Sequence, residues 1–466
     1  IIYIIVIWQI MFRFIDRNDE LAFLRRQAAR ERASFVVIYG RRRTGKTELV
    51  LRFLREYQGI YYLADKKTYR ENLRSFQRVA AEFLGDELFG VAEFSTWFDV
   101  FNALLNRVRE KIVIVIDEFP YLLEKGVLEE FQKIWDMLLS RRKVMLIIVG
   151  SSISMMEKKV LSHSSPLYGR RTGQIQLMPL KFWNIRDFFP NYSFEDRLKV
   201  YAVLDGIPYY LLLFSQDLDF KENMLENYLH RLSPLYEDAE VLLRDELREV
   251  KRYFSILNAI ASGKRNFTEI KNNVNMESNI LARYLSILQS IGIVVDDRPV
   301  LQQKRVLRYR LLDNYFKFWF RYIYPNKWLI ETGNGERLYK IIESTFQTYL
   351  GEIFEDVVRD VISHFTRQWD IVGKWWHKGE EIDIVAVNKR KKEALFAEVK
   401  WRDRKMGWAE YEELRRKSEL VQGLEDYRKK YLLVNKGGFR DEDKLVEESV
   451  GLWDLKTLEK LVKGLE

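Results

Sequence analysis

The sequence predicts an α/β protein, with a parallel sheet between helices in its N-terminal part and a smaller α/β module at its C-terminal end. Three observations carry this. Short β-branched runs recur at residues 34–39, 59–63, 111–116, 144–149 and 174–178, and helical patterns separate them at 46–57, 69–84, 96–109 and 128–141. Runs that are apolar throughout, joined by helices, imply right-handed crossovers and strands buried on both faces. Far downstream, strand patterns at 381–388 and 394–401 flank a basic turn at 388–392, as a hairpin would. A chain of 466 residues with 47% hydrophobic and 31% charged residues can bury the cores of several such domains.

The first ten residues, IIYIIVIWQI, are apolar apart from Gln9. They are too few to cross a hydrocarbon core of ~30 Å, which takes about 20 residues in a helix. They also lack the basic n-region and small-residue cleavage site of a signal peptide. Met11 then opens an amphipathic stretch, MFRFIDRNDELAFL. Residues 1–10 therefore read as a start-site extension, with a membrane-associating tag as the alternative, and no stable membrane insertion is expected. The absence of cysteine excludes disulfides, iron–sulfur clusters and thiolate zinc sites, which fits a cytoplasmic setting. The net charge of +9, from 77 basic and 68 acidic residues, permits a nucleic-acid partner without demanding one.

Residues 11–190 form the first module. Its first strand runs into Gly40-Arg41-Arg42-Arg43-Thr44-Gly45-Lys46-Thr47 and then a helix, which is GxxxxGK[ST] in its strand–loop–helix setting. The glycines let the backbone curl so that its N–H groups face phosphates at a helix N-terminus. Lys46 would reach the β- and γ-phosphates, and the Thr47 hydroxyl would be a magnesium ligand. About 70 residues on, KIVIVIDEFPYLLE ends an apolar strand with Asp117 and Glu118. Carboxylates at that end of a parallel strand point into the ligand crevice. Asp117 is expected to hold magnesium, largely through water, and Glu118 to orient and deprotonate the attacking water. The next strand ends in Gly150-Ser151-Ser152. Ser151 either senses the γ-phosphate or caps the following helix. Arg170 and Arg171, in SPLYGRRTGQIQLMPL, either stabilise transferring phosphoryl charge, in cis or from a neighbouring subunit, or form a solvated basic turn.

Taken together, the Arg-x-x-Glu-Leu start at 17–21, GRRRTGKT, IDEFPYL, GSS, PLYGRRTG and DGIPYYL resemble the archaeal ATPase family of AAA+/STAND type. That family is related to the origin-recognition ATPases, and the resemblance covers residues 12 to about 325. It implies ATP rather than GTP, places residues 17–21 near adenine, and makes residues 191–248 a helical lid domain. Pro208, in DGIPYYL, resembles the family's proline that senses nucleotide state.

Residues 249–325 outline a winged helix-turn-helix, with helices at 267–274 and 277–291 and strands at 294–297 and 306–312. Its second helix offers Asn279, Ser286 and Gln289 but only Arg283 as a cation, opposite Glu277. The wing carries the better basic patch in Lys304, Arg305, Arg308 and Arg310. Contact with DNA and a packing role that relays nucleotide state both remain open. The polar, glycine-bearing segment 326–335 reads as a linker.

Residues 336–466 hold the second informative stretch, GEEIDIVAVNKRKKEALFAEVKW. Period-two alternation puts Glu398 and Lys400 on one face of a strand, and hairpin pairing can bring Asp383 beside them. A preceding helix, GEIFEDVVRDVI, can bring Glu355 to the same spot. Such carboxylates bind magnesium or manganese, and the lysine can position or activate water for phosphodiester cleavage. Asp383, then Glu398-x-Lys400 after fourteen intervening residues, resembles the PD-(D/E)xK nuclease fold. Ile382 stands where that signature has proline. Cleavage, and a fold that only binds DNA or a partner, are both compatible with this resemblance. Of the four histidines, at 163, 230, 364 and 377, only His377 lies near this site, and it reads as a surface residue.

The leading expectation is a magnesium-dependent ATPase acting on DNA, with a nuclease-like C-terminal domain and either homo-oligomerisation or nucleotide-dependent self-association. The alternative is a STAND-like signalling switch that uses ATP to control protein assembly, with a non-catalytic C-terminal domain.

Overall fold

The computed structural model describes residues 14–247, 249–301, 307–365 and 368–464. The expectations for residues 1–10 and for Lys304 and Arg305 lie outside these residues. The chain forms two compact units: one runs to Leu180 and includes Ile207–Tyr209, and the other comprises Lys181–Gly206 and the chain from Tyr210 onward.

In the first unit the elements are α1 (Asn18–Ala28), β1 (Ser34–Tyr39), α2 (Lys46–Leu54), β2 (Gly59–Leu63), α3 (Tyr69–Leu84), α4 (Trp97–Leu105), β3 (Ile112–Asp117), α5 (Val127–Ile134), β4 (Val144–Gly150) and β5 (Gly173–Gln176). The strands pair in the order β2-β3-β4-β1-β5, all parallel. Each central strand is buried at every position and apolar apart from Ser34 at the start of β1 and Asp117 at the end of β3, because both faces are covered. Phe35, Val37, Ile114, Ile116, Leu146 and Ile148 pack on one side with α3, α4 and α5. Val36, Ile38, Val113, Val115, Ile147 and Val149 pack on the other with α1 and α2. Burying one such side chain contributes ~1.5–3 kcal/mol, so this alternation fixes the register firmly. Thr68 with Glu71, and Thr96 with Asp99, form reciprocal caps that start α3 and α4.

In the second unit a helical stretch that includes α6 (Phe194–Leu204) leads to α7 (Val250–Ala261), α8 (Phe267–Val274), α9 (Ser278–Ser290) and the antiparallel pair β6 (Val294–Asp297) and β7 (Arg308–Leu311). Then follow α10 (Asn314–Phe318), α11 (Lys327–Glu331), the long α12 (Gly335–Phe365), β8 (Ile371–His377), β9 (Glu380–Asn388), β10 (Glu393–Lys400), α13 (Trp408–Ser418), β11 (Arg428–Asn435) and β12 (Gly451–Trp453). These last strands form one mixed sheet in the order β12-β11-β10-β9-β8. β10 pairs antiparallel with β9 but parallel with β11, and α13 lies in the crossover that a parallel pair requires.

One expectation is corrected here. The segment 326–335 is not a linker: it contains α11, whose Leu329 and Ile330 are buried in the core. Two adjacent apolar side chains anchor it, and Gly333, at φ 75°, ends the turn. The surrounding Asn, Lys, Thr and Gly hid a short buried helix.

Candidate functional site

In the first unit the site lies at the C-terminal ends of β1, β3 and β4. Gly40 leaves β1 where an added Cβ would stand 2.4 Å from the Leu177 carbonyl oxygen, so no side chain fits. Arg43 and Gly45 take positive φ of 71° and 91°, which curls residues 40–45 into a loop that opens onto the N-terminus of α2. Inside this loop the Lys46 ammonium donates to the Arg41 carbonyl at 2.7 Å, and the Thr44 hydroxyl donates to the same oxygen at 2.8 Å. Burial pushes the Lys46 pKa down to about 8, although Glu118 and Asp117 pull the other way. A lysine already stripped of water gains strongly from an arriving phosphate.

Asp117 ends β3 fully engaged. Its Oδ2 accepts from the Thr47 hydroxyl at 2.7 Å and from the Tyr61 hydroxyl at 2.8 Å, while its Oδ1 accepts from the Glu118 amide at 2.8 Å. The Tyr61 phenol is held well above its ordinary pKa by burial and by Asp117, so it remains a donor. Glu118 adopts a left-handed backbone, φ 51° and ψ 39°, which turns the chain sharply off β3. Its Oε1 accepts from the Ser151 hydroxyl at 2.6 Å, from the end of neighbouring β4. Thr47, Asp117 and Glu118 thus gather hard oxygen donors beside the phosphate loop, the ligand chemistry that magnesium takes.

The remaining residues fall around this centre. Ser151 meets Glu118, and the N-cap of the following helix is its neighbour Ser152. Arg42 donates to the Tyr121 hydroxyl at 3.1 Å, and the Arg43 guanidinium lies 4.3 Å from the Tyr209 ring centroid. Tyr209 follows Pro208 in the Ile207–Tyr209 segment that belongs to this unit. Arg17 is buried and donates to the carbonyls of Thr44 at 3.4 Å and Met178 at 2.6 Å, bracing the phosphate loop. Arg170 is forked onto Asp136 through two 2.8 Å hydrogen bonds. Arg171 donates to the Leu161 carbonyl at 3.1 Å and lies over Tyr168. Sequence reasoning missed Tyr61, Tyr121 and Tyr209, whose hydroxyls or rings touch the motif residues. Tyrosines on a strand or loop carry no pattern that separates such contacts from ordinary packing.

The second unit brings together Asp383, Glu398 and Lys400. Asp383, buried on β9, accepts at Oδ2 from the Val399 amide at 2.8 Å and from the Lys400 ammonium at 3.2 Å. The same ammonium reaches Glu398 Oε1 at 2.7 Å, while Glu398 Oε2 is buried with no hydrogen-bond partner. Burial alone would lower Lys400, but Asp383 and Glu398 outweigh it and hold the ammonium above the usual lysine value. Glu355, on α12, forms an ion pair with Lys374 of β8. Burial and then the Asp383 charge still push Glu355 up to about 7, and the same two causes raise Glu398. Among the described residues no three His, Cys, Asp or Glu side chains form a ready metal-ligand set. The expected trio Glu355, Asp383 and Glu398 shares one neighbourhood, but two lysine ammoniums are interposed. The chemistry of the donor set nonetheless suits a divalent cation: hard oxygens, one of them orphaned. Lys374 was missed, and the signal for it is a charged residue alternating inward on a strand.

In the helix pair α8 and α9, Asn279, Arg283 and Ser286 are exposed, whereas Gln289 is taken up by Asp296. Arg308 on β7 pairs with Glu381 at 3.0 Å and stacks on Trp376.

Fold and site define a P-loop nucleotide-binding protein. Residues 14–214 match a family described as an ATPase domain predominantly from Archaea, and residues 319–414 match a family of archaeal and bacterial proteins of unknown function. An uncharacterized protein of Methanocaldococcus jannaschii is 38% identical over 439 residues, covering 91% of this chain and 95% of its own length. An uncharacterized ATP-binding protein of the same organism is 46% identical over 41 residues, 9% of this chain and 70% of that protein. The Walker-type ATPase of Pyrococcus abyssi superposes with a TM-score of 0.50 at 22% identity, covering 66% of this chain and 96% of that one, and so shares its fold. The chain belongs to the same family as the 38%-identical protein of Methanocaldococcus jannaschii, and its residues 14–214 carry the archaeal ATPase domain. No helix among the described residues is long and apolar enough to cross a membrane.

Proposed function

We propose that this protein hydrolyses ATP in its first unit and acts on DNA through its second, where Asp383, Glu398 and Lys400 form a phosphodiester-cleaving centre. The observation that carries the first half is the Thr47–Asp117 contact beside a buried Lys46, with Glu118 held at the end of the next strand. Thr47 and Asp117 would hold magnesium, which supplies charge neutralisation between the β- and γ-phosphates. Lys46 binds the γ-phosphate. Glu118 takes a proton from the attacking water, the oxygen of that water bonds to the γ-phosphorus, and the bond to the bridging β–γ oxygen breaks to leave ADP and phosphate. Lys46→Ala is expected to abolish turnover.

For the second half, the support is the convergence of two buried carboxylates and a lysine on the adjacent strands β9 and β10, the arrangement of the PD-(D/E)xK signature. Asp383, Glu398 and Glu355 would hold magnesium or manganese, and Lys400 would orient the attacking water. The exposed Asn279 and Arg283 support DNA contact by a winged helix formed from α7 to β7. The test is cleavage of labelled branched, duplex and single-stranded DNA, with each metal, with and without ATP. Cleavage that disappears in Asp383→Ala supports the reading. If DNA is neither bound nor cut and leaves ATP turnover unchanged, the reading fails. The protein-assembly switch then takes its place, favoured by the ion pairs that close Lys374 and Lys400 onto these carboxylates.

A further inference from the structure

A cavity of about 40 Å³ lies within the second unit, walled by α7, β6, β7, α10, α12 and β8. Five cations line it, Arg265, Arg308, Arg310, Lys317 and Lys374, against the three carboxylates of Asp297, Glu352 and Asp356. Two of those carboxylates are already spoken for. Glu352 is gripped by Arg321 at 3.1 Å and Arg265 at 3.2 Å, and Asp356 is paired with Arg359.

The exceptional group is Lys317. Its side chain is only 12% exposed, yet its ammonium stands 3.9 Å from Asp356 and 4.0 Å from Glu352, beyond hydrogen-bonding range. An ammonium carries three donors, and none of those of Lys317 has a hydrogen-bond acceptor among the described residues, which leaves them available at the cavity wall. Arg310, half-buried in the same wall, makes neither ion pair nor hydrogen bond with its side chain among the described residues. The cavity has space for about three water-sized groups, since one takes ~10–15 Å³ by the same measure. That is the scale of one tetrahedral oxyanion. The guanidinium fork and the ammonium point charge are the two side-chain types that recognise phosphate. An excess of two cations over carboxylates matches a dianion.

We propose that this cavity binds a dianionic phosphate group, with Lys317 and Arg310 as its principal donors. The ligand is either free inorganic phosphate or the terminal phosphomonoester of a nucleic acid. The second source rests on the DNA reading above, and the geometry connects the two sites: Lys374 lines the cavity and pairs with Glu355, which feels the charge of Asp383.

The test is equilibrium dialysis of the full chain against labelled orthophosphate, in a Lys46→Ala background so that the nucleotide loop does not contribute. One phosphate is expected per chain, with affinity at least tenfold weaker in Arg310→Gln and in Lys317→Met. Arg310 makes no ion pair or hydrogen bond with its side chain among the described residues, although its charge helps hold Asp356 ionised, so circular dichroism and melting check that its variant keeps the fold. Absence of bound phosphate, or undiminished binding in a folded Arg310→Gln, overturns the proposal. Displacement of the label by a 5′-phosphorylated oligonucleotide but not by its 5′-hydroxyl twin assigns the site to nucleic-acid ends. Retention of the label against both assigns it to the free anion. Asp383→Ala should cut no DNA yet still bind phosphate, which separates failure of the two readings.

Discussion

Glu118 and Lys46 are the residues whose surroundings make the sharpest demands. Glu118 is held by the Ser151 hydroxyl and by a left-handed backbone, so its carboxylate has one preferred direction. Glu118→Gln should therefore lower kcat by ~10²–10⁴ with little change in KM, the pattern of a lost general base. Ser151→Ala, which only loosens that carboxylate, should cost about tenfold in kcat, since a positioning contact is worth less than the base itself. Steady-state phosphate release measures both. Lys46, at about 8, is roughly half deprotonated in the empty protein at pH 8. A γ-phosphate beside it raises its pKa, so binding a non-hydrolysable ATP analogue at pH 8 should take up about half a proton. Calorimetry in buffers of different ionisation enthalpy reads that number, and Lys46→Arg should bring it to zero. The placement of these residues was legible because the GxxxxGK[ST] loop and the Asp117-Glu118 strand end each carry a spacing. The carbonyl of Arg41 as the resting partner of Lys46 carries none, because it depends on how the empty loop closes.

At the scale of elements, the strands that could be read from the sequence are those buried on both faces. β1 and β2 fall where the β-branched runs predict, β3 is shifted one residue at both ends and β4 runs one residue longer. The helical patterns overrun instead: α2 stops at Leu54 rather than Tyr57, whose ring instead stacks on Phe53 at 4.6 Å. An apolar period continues past a helix end when the next side chain also packs inward, so burial alone does not mark the stop. β8 and α11 were not seen for the opposite reason: their apolar residues are interrupted by Gly, Lys and Asn that tertiary packing overrides. Between α3, α4 and α5 the sheet is covered by an aromatic cluster in which Phe131 touches Trp97, Phe101 and Phe119. Phe131 is 1% exposed, and Phe131→Ala should destabilise the first unit by ~3–5 kcal/mol, measured by urea unfolding. The ring packs on Phe119, the residue after Glu118, so ATP turnover of the folded fraction should fall along with stability.

At the scale of the whole molecule, Glu355 is one group through which pH reaches stability. Its carboxyl is held up to about 7, above its unfolded value, so the folded protein binds this proton more tightly. Its contribution to stability is therefore present below the unfolded carboxylate range and is lost as pH rises toward 7. Urea midpoints between pH 5 and 7.5 should fall less steeply in Glu355→Gln than in the parent. On the proposed nuclease reading, cation binding requires the ionised carboxylate, so DNA cleavage should rise through the same window. The division of the chain has a separate consequence, in the order of its synthesis. Ile207–Tyr209 belongs to the first unit, though the residues on both sides of it belong to the second. A ribosome that has released the chain to Leu180 has not yet supplied the tyrosine that sits under Arg43. At ~5–20 residues per second, that ring arrives a few seconds later. The nascent first unit must wait with its phosphate loop incomplete, and no single proteolytic cut can free it whole.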